Sequence, residues 1–124
     1  MNSFQIGGIY AWARVRDAGD ITQHLMIARD ATEITVVTAP ENLGALDVLE
    51  INRDRWRLFD LEPDTPFYCV GFIAKISARL SEAGIDILVA STYSRDLFFV
   101  KEDDGEKTAA ILRGLGFTES SPAR

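Results

Sequence analysis

Few residues in this chain have the type and spacing to do chemistry. Six polar side chains, Ser91-Thr92-Tyr93-Ser94-Arg95-Asp96, stand between two apolar blocks. Their hydroxyls and single carboxylate can hold an ammonium group and orient what is attached to it. The same residues also suit a hairpin turn in which Ser and Asp bond the bend and Arg95 pairs with Asp96 or a nearby acid. Cys69, between Tyr68 and Val70, and His24 are the only cysteine and histidine. A nucleophilic thiol needs a basic partner, and nothing around these two residues supports that pairing. In apolar company Cys69 reads as a small buried hydrophobe. A lone cysteine excludes an internal disulfide and a cysteine-built metal site, and one histidine with scattered acids makes no metal set. The run Glu102-Asp103-Asp104 reads as the start of a helix, where negative charge meets the dipole. Arg53, Arg55 and Arg57 alternate beside Asp54 and Asp60, which fits a solvated strand edge or loop, or an anion site.

The elements that position these residues come from an ordinary globular composition. The chain has 124 residues, 47% apolar and 26% charged, enough for one domain or two small subdomains. A net charge of −6 argues against nucleic acid as a partner. No basic-then-apolar leader and no apolar run of about 18 to 20 residues is present, so no membrane partner and a cytoplasmic location are expected.

The clearest patterns lie in the second half. The segment RWRLFDLE (55–62) reads as a strand, ended by the two prolines of PDTPF (63–67). Ile73, Ile76, Leu80 and Ala83 then recur at helical spacing, and Gly84 follows where a left-handed cap is wanted. DILVAS (86–91) and DLFFVKE (96–102) read as strands on either side of the polar bend. Asp103 and Asp104 offer caps to a helix over 106–115, with Ala109, Leu112 and Leu115 on one face. Gly116 ends that helix and FTES supplies a last short strand. The resulting order is βαββαβ, a ferredoxin-like α+β plan with an antiparallel sheet and both helices on one face.

The first half is less regular. GGIYAWARV (7–15) reads as a strand, and Leu25–Ala28 and Glu33–Thr38 as two more joined by the turn-prone RDAT. ENLGALDVLE (41–50) reads as a single short helix, with INRD as a link. This is a reduced version of the same plan.

The segment GFIAKISARLSEAGIDILVASTYSRDLFFVKEDD, followed by AAILRGLGF, resembles the small tandem ACT-domain proteins. Their second unit has a helix ending in AGI, then a strand, then STYDTDYILVKEED and a closing helix ending in AGF or AGH. The likeness runs over about residues 56 to 117. The first half is similar only through GGIYAWARV and EITVVTAPE. The resemblance implies tandem ACT units, a reduced one over 1–54 and a second over 55–124. It also implies a regulatory, non-catalytic protein that binds an amino acid or related metabolite without a cofactor, and a homodimer that covers exposed sheet edges.

In this family the ligand site lies where the first strand turns into its helix, which here is Asp64 to Phe72. The implied binding residues are Val70, Gly71 and Phe72 at that turn, with Ser91, Thr92, Tyr93 and Asp96 at the bend. A glycine at a helix start lets a carboxylate approach free N–H groups, although Gly71 is equally suited to close helix–strand packing. Ser94 and Arg95 depart from the family's acid and threonine, which makes an acidic or oxyanionic ligand more plausible. A protein-interaction module without a ligand is the alternative those departures favour. The ferredoxin-like plan also hosts acylphosphatases, but EPDTPFYCVGF is acidic, proline-interrupted and without arginine, a poor phosphate cradle.

Overall fold

Two apolar periods interlock in the second half of the chain. Phe59 and Leu61 alternate along β5 (Trp56–Glu62), and Phe98 and Val100 along β7 (Asp96–Lys101). Phe72, Ile76 and Leu80 recur every four residues along α1 (Phe72–Glu82). All seven are buried in one cluster with Ala109 and Leu112 of α2 (Gly105–Gly114), so both helices cover the same face of the sheet. The intervening Leu58, Leu97 and Phe99 are buried as well, which is why DLFFVK reads as a continuous apolar run.

The computed structural model describes residues 2–63 and 70–120. Cys69, the rest of 64–69 and the SSPAR tail beyond Ser120 lie outside the described residues. The chain divides into two compact units, one formed by Met1–Gly7 with Arg57–Arg124 and the other by Gly8–Trp56. The expected division at 54/55 therefore differs at the start of the chain, where the first seven residues join the C-terminal unit.

In that unit, β1 (Ser3–Val15) lends its first residues to the sheet, beside β5 and β8 (Thr118–Glu119). β8 runs parallel to β1, with Ser3 opposite Thr118 and Phe4 opposite Glu119. The other pairings of defined register are antiparallel, as expected from the sequence, so β1 with β8 is a parallel addition to an antiparallel sheet. The closing strand lies against the chain's beginning because Phe4, 1% exposed, fills the core there, its ring centroid 6.1 Å from that of Phe59. β6 (Ile87–Ser91) and β7 form an antiparallel hairpin from Ile87↔Val100 to Ser91↔Asp96.

The helices depart from expectation in two details. Phe72 replaces Ile73 in the buried stripe of α1: its ring lies 5.7 Å from that of Phe117, while Ile73 is 40% exposed. Glu102–Asp104 form a 3-10 turn, and the Asp104 side chain makes no capping bond to α2. Both helices end alike, with Gly84 (φ 75°) and Gly116 (φ 94°) left-handed. The next amides, of Ile85 and Phe117, reach back to the carbonyls of Leu80 and Leu112.

The second unit is a four-stranded antiparallel sheet. The later part of β1 lies between β3 (Ile34–Thr38) and β4 (Val48–Ile51), and β2 (His24–Arg29) pairs with β3. Ala13, Val15 and Val36 form its core. The helix expected over 41–50 is a 3-10 turn, Pro40–Ala45, followed by β4. Gly44 weakens the helix and β-branched Val48 and Ile51 favour the strand. Arg14 and Glu50 face each other across β1 and β4 and pair at 2.7 Å. No helix among the described residues is long and apolar enough to cross a membrane.

Two expectations follow. If residues 1–7 complete the C-terminal unit, Phe4→Ala lowers stability by about 3–5 kcal/mol in denaturant unfolding; a loss under about 1 kcal/mol would mean that 55–124 closes its own core. The second concerns the β2–β3 turn. Asp30 Oδ1 accepts the backbone N–H of Thr32 (2.8 Å) and of Glu33 (2.9 Å), and the Thr32 hydroxyl (3.0 Å). These bonds, the Thr32 amide foremost, hold its carboxyl below the ordinary value of 3.8. A depressed folded pKa means that this stabilisation is complete above the unfolded value and is lost as pH falls through the folded one. The stability gap between wild type and Asp30→Asn should therefore be constant near neutral pH and close in the acid range below about 4. A gap that ignores pH would sink this reading.

Candidate functional site

The first turn of α1 begins without a cap. Gly71 is its N-terminal boundary at φ 80°, and no side chain among the described residues accepts from its first amides. A left-handed backbone costs an L-residue roughly 1–2 kcal/mol, so glycine is required here by conformation. No described atom lies within 4 Å of where a Cβ would stand. The Gly71 carbonyl accepts the first helical bond, from the Lys75 amide at 2.9 Å, and among the described residues no side chain caps the amides before Lys75. That is a place where an anion is stabilised by N–H groups and the helix dipole.

The bend is a self-bonded hairpin turn. Ser91 Oγ donates to Asp96 Oδ1 at 2.7 Å, and the Thr92 amide donates to the Arg95 carbonyl at 2.9 Å. Ser91 and Asp96 are cross-strand partners, two steps beyond the pair Val89↔Phe98. Phe98 belongs to the core beneath the helices, so strand alternation puts Ser91 and Asp96 on the helix-covered face.

Arg95 takes the other face. Its Nη1 donates to Asp60 Oδ2 at 3.1 Å, and its Nε lies 3.9 Å from Glu62. This pins the bend to the C-terminal end of β5, the end that leads toward α1. Asp60 Oδ1 is buried with no hydrogen-bond partner among the described residues. It lines a recess of about 40 Å³ with Ser3, Gln5, Glu62, Arg95 and Ser120.

The residues expected to bind a ligand thus fall into two groups. Val70 and Gly71 are at the start of α1, Val70 fully exposed, while the Phe72 side chain is core. Ser91, Thr92 and Asp96 share the bend with Tyr93, which is 85% exposed. Sequence reasoning missed Asp60 and Glu62. Their signal was an acid between Phe59 and Leu61 in an otherwise apolar strand, a position that calls for a cation.

Elsewhere, His24 is occupied structurally. Its Nε2 donates to the Ala18 carbonyl at 2.7 Å, and its Nδ1 lies 2.9 Å from the Thr38 hydroxyl oxygen. No group of three or more His, Cys, Asp or Glu side chains among the described residues could hold a metal.

The ACT domain pattern matches residues 52–114, and the chain belongs to the ACT domain family. Its fold is similar to that of a protein of unknown function from Vibrio cholerae, with a TM-score of 0.76 and 22% identity over 91% of this chain and 88% of that one. A protein from Agrobacterium tumefaciens is similar at TM-score 0.78 and 25% identity, over 99% and 95% of the two chains. The regulatory subunit of aspartate kinase from Thermus thermophilus shares the fold at TM-score 0.59 and 7% identity, over 91% and 95%. No curated protein matches the sequence.

The Arg95 contact gives a direct test. Arg95→Gln strands a carboxylate whose side chain is only 20% exposed, and should lower stability by about 1–3 kcal/mol. Adding Asp60→Asn should restore part of that loss, because the uncompensated charge is then gone. A single-variant loss below about 0.5 kcal/mol would make the pair an ordinary surface contact.

Proposed function

We propose that this chain is a non-catalytic ACT regulatory protein that binds an amino acid or a closely related metabolite. The ligand carboxylate lies on the open amides at the Gly71 helix start, and its ammonium meets Asp96, whose free oxygen faces the same side of the sheet. Ser91 orients Asp96 from below, and Arg95 keeps the bend fixed through Asp60. The observation that carries this reading is the left-handed start of an 11-residue helix at Gly71, which no side chain among the described residues caps. Likeness to a regulatory subunit of aspartate kinase adds support at the level of fold. In this reading Gly8–Trp56 is a reduced ACT-like unit in tandem with the first, its helix shortened to Pro40–Ala45.

A second reading has its own observation. Val70 and Tyr93, fully and largely exposed, flank the two halves of the candidate site and suit contact with another protein surface. A homodimer through these residues is compatible with ligand binding; a module that only pairs with a partner is not.

Thermal-shift and calorimetric titration against the proteinogenic amino acids, with light scattering of the same samples, separates the two. Binding should stabilise the fold by about 2.7 kcal/mol at a hundredfold excess over Kd, and Asp96→Asn should weaken it at least about tenfold. If no amino acid stabilises the protein while it scatters as a dimer, the interaction reading stands and the sensor reading falls.

A further inference from the structure

The first turn of α2 faces the beginning of β5 across a cleft of about 850 Å³, a volume suited to a metabolite-sized molecule. Its floor is apolar, made by Ile6 with the buried side chains of Phe59 and Ala109. Its rim carries opposite charges, Arg57 on the strand side and Glu102 and Glu106 on the helix side. Arg57 Nη1 donates a 2.8 Å bond to the Gly7 carbonyl. Its stem passes Gly105, where a Cβ would lie 3.7 Å from its Cγ. The guanidinium is therefore fixed by one N–H and keeps others to donate. Arg113 also lines the cleft, but it is occupied by Glu119 at 2.6 Å.

Among the described residues neither Glu102 nor Glu106 has a partner for its carboxylate, and neither pairs with Arg57. That separation is informative. Opposite charges about 4 Å apart near a protein surface attract by roughly 4 kcal/mol before desolvation, so unrestrained side chains in one cleft close onto each other. Here the Gly7 carbonyl keeps Arg57 on one wall, while two like charges four residues apart stand on the other and repel.

We propose that this cleft binds a zwitterionic small molecule with an apolar body. Its carboxylate lies on Arg57, its ammonium between Glu102 and Glu106, and its body on Ile6, Phe59 and Ala109. A ligand with a negative charge alone would face the two carboxylates uncompensated; one with a positive charge alone would leave Arg57 unused. The cleft lies where β5 begins and β7 has ended, the far end of these strands from the Ser91–Asp96 bend, so this is a second site that does not depend on the first.

Nitrogen-labelled full-length protein titrated in the NMR spectrometer with L-phenylalanine, L-leucine and ε-aminocaproate tests it. At least one should shift the amides of Arg57, Gly105 and Glu106 at concentrations up to about 20 mM, well above the millimolar range of weak sites. Phenethylamine and hydrocinnamate, which share the body of phenylalanine but carry one charge each, should bind at least about tenfold more weakly. Arg57→Gln should weaken the zwitterion about tenfold without affecting phenethylamine, and the double change Glu102→Gln with Glu106→Gln should do the reverse for hydrocinnamate. Gly105→Leu, which fills the cleft from a surface position, should remove every one of these shifts while Asp96→Asn leaves them in place. Shifts confined to Gly71 and Ser91–Asp96, equal binding of the singly charged probes, or no shift with any zwitterion would each overturn the proposal.

Discussion

The C-terminal unit depends on a strand borrowed from the other end of the chain. Phe4 is almost wholly buried beside Phe59. The Thr118 and Ser120 amides donate to the carbonyls of Asn2 and Phe4. Without Ser3–Gly7 the closing strand would lack these partners, and the core would lose a fully buried aromatic side chain, which is worth several kcal/mol. The arrangement makes the fold non-local: residues more than a hundred positions apart must meet before the sheet closes. It also places Gly7, where a Cβ would meet Leu58 at 2.8 Å, at the point where β1 leaves one unit for the other.

Strand alternation then decides which charge can serve which face. Along β5, Phe59 and Leu61 point into the helix-covered core, and so does the register of Arg57; Asp60 and Glu62 belong to the opposite face. Arg95, just before β7, and Asp96, its first residue, split in the same way. A single bend therefore offers a carboxylate to the helix side while its arginine clamps β5 from behind. Arg95, one of the two departures from the family pattern, makes this clamp, so its arrival changes how the bend is held more directly than what Asp96 can meet.

Much of this was legible in the sequence where one physical signal dominated. The alternation in RWRLFDLE, the helical spacing of Ile73, Ile76, Leu80 and Ala83 before Gly84 and the polar knot after DILVAS indicated β5, α1 and the hairpin at nearly their observed bounds. What failed was non-local or balanced. Nothing in FTES says that its partner is Ser3–Phe4, because pairing across the whole chain leaves no local pattern. Phe72 against Ile73 was a one-residue rotation of the stripe, decided by contact with Phe117. ENLGALDVLE carried helical leucine spacing, but Gly44 and the β-branched Val48 and Ile51 tipped the balance to a turn and a strand. Of the candidate site, the bend could be read directly, whereas the pairing of Arg95 with Asp60 required the sheet.

The two openings on the helix side have a common geometric origin. α1 and α2 have 11 and 10 residues, which at 1.5 Å per residue makes them about 15–17 Å long. β5 has seven residues, which at about 3.3 Å per residue spans roughly 23 Å. Helices this short cover the middle of the sheet and leave its ends bare. At one end stand the start of α1 at Gly71 and the carboxylate of Asp96; at the other, Arg57 with Glu102 and Glu106. Polar groups are tolerated at these two edges because they keep access to solvent or to a ligand, and the apolar floor between them is continuous with the core. Each opening lies at the start of a helix, α1 after Gly71 and α2 at Gly105, so the points where these helices begin decide which edges of the sheet keep polar groups.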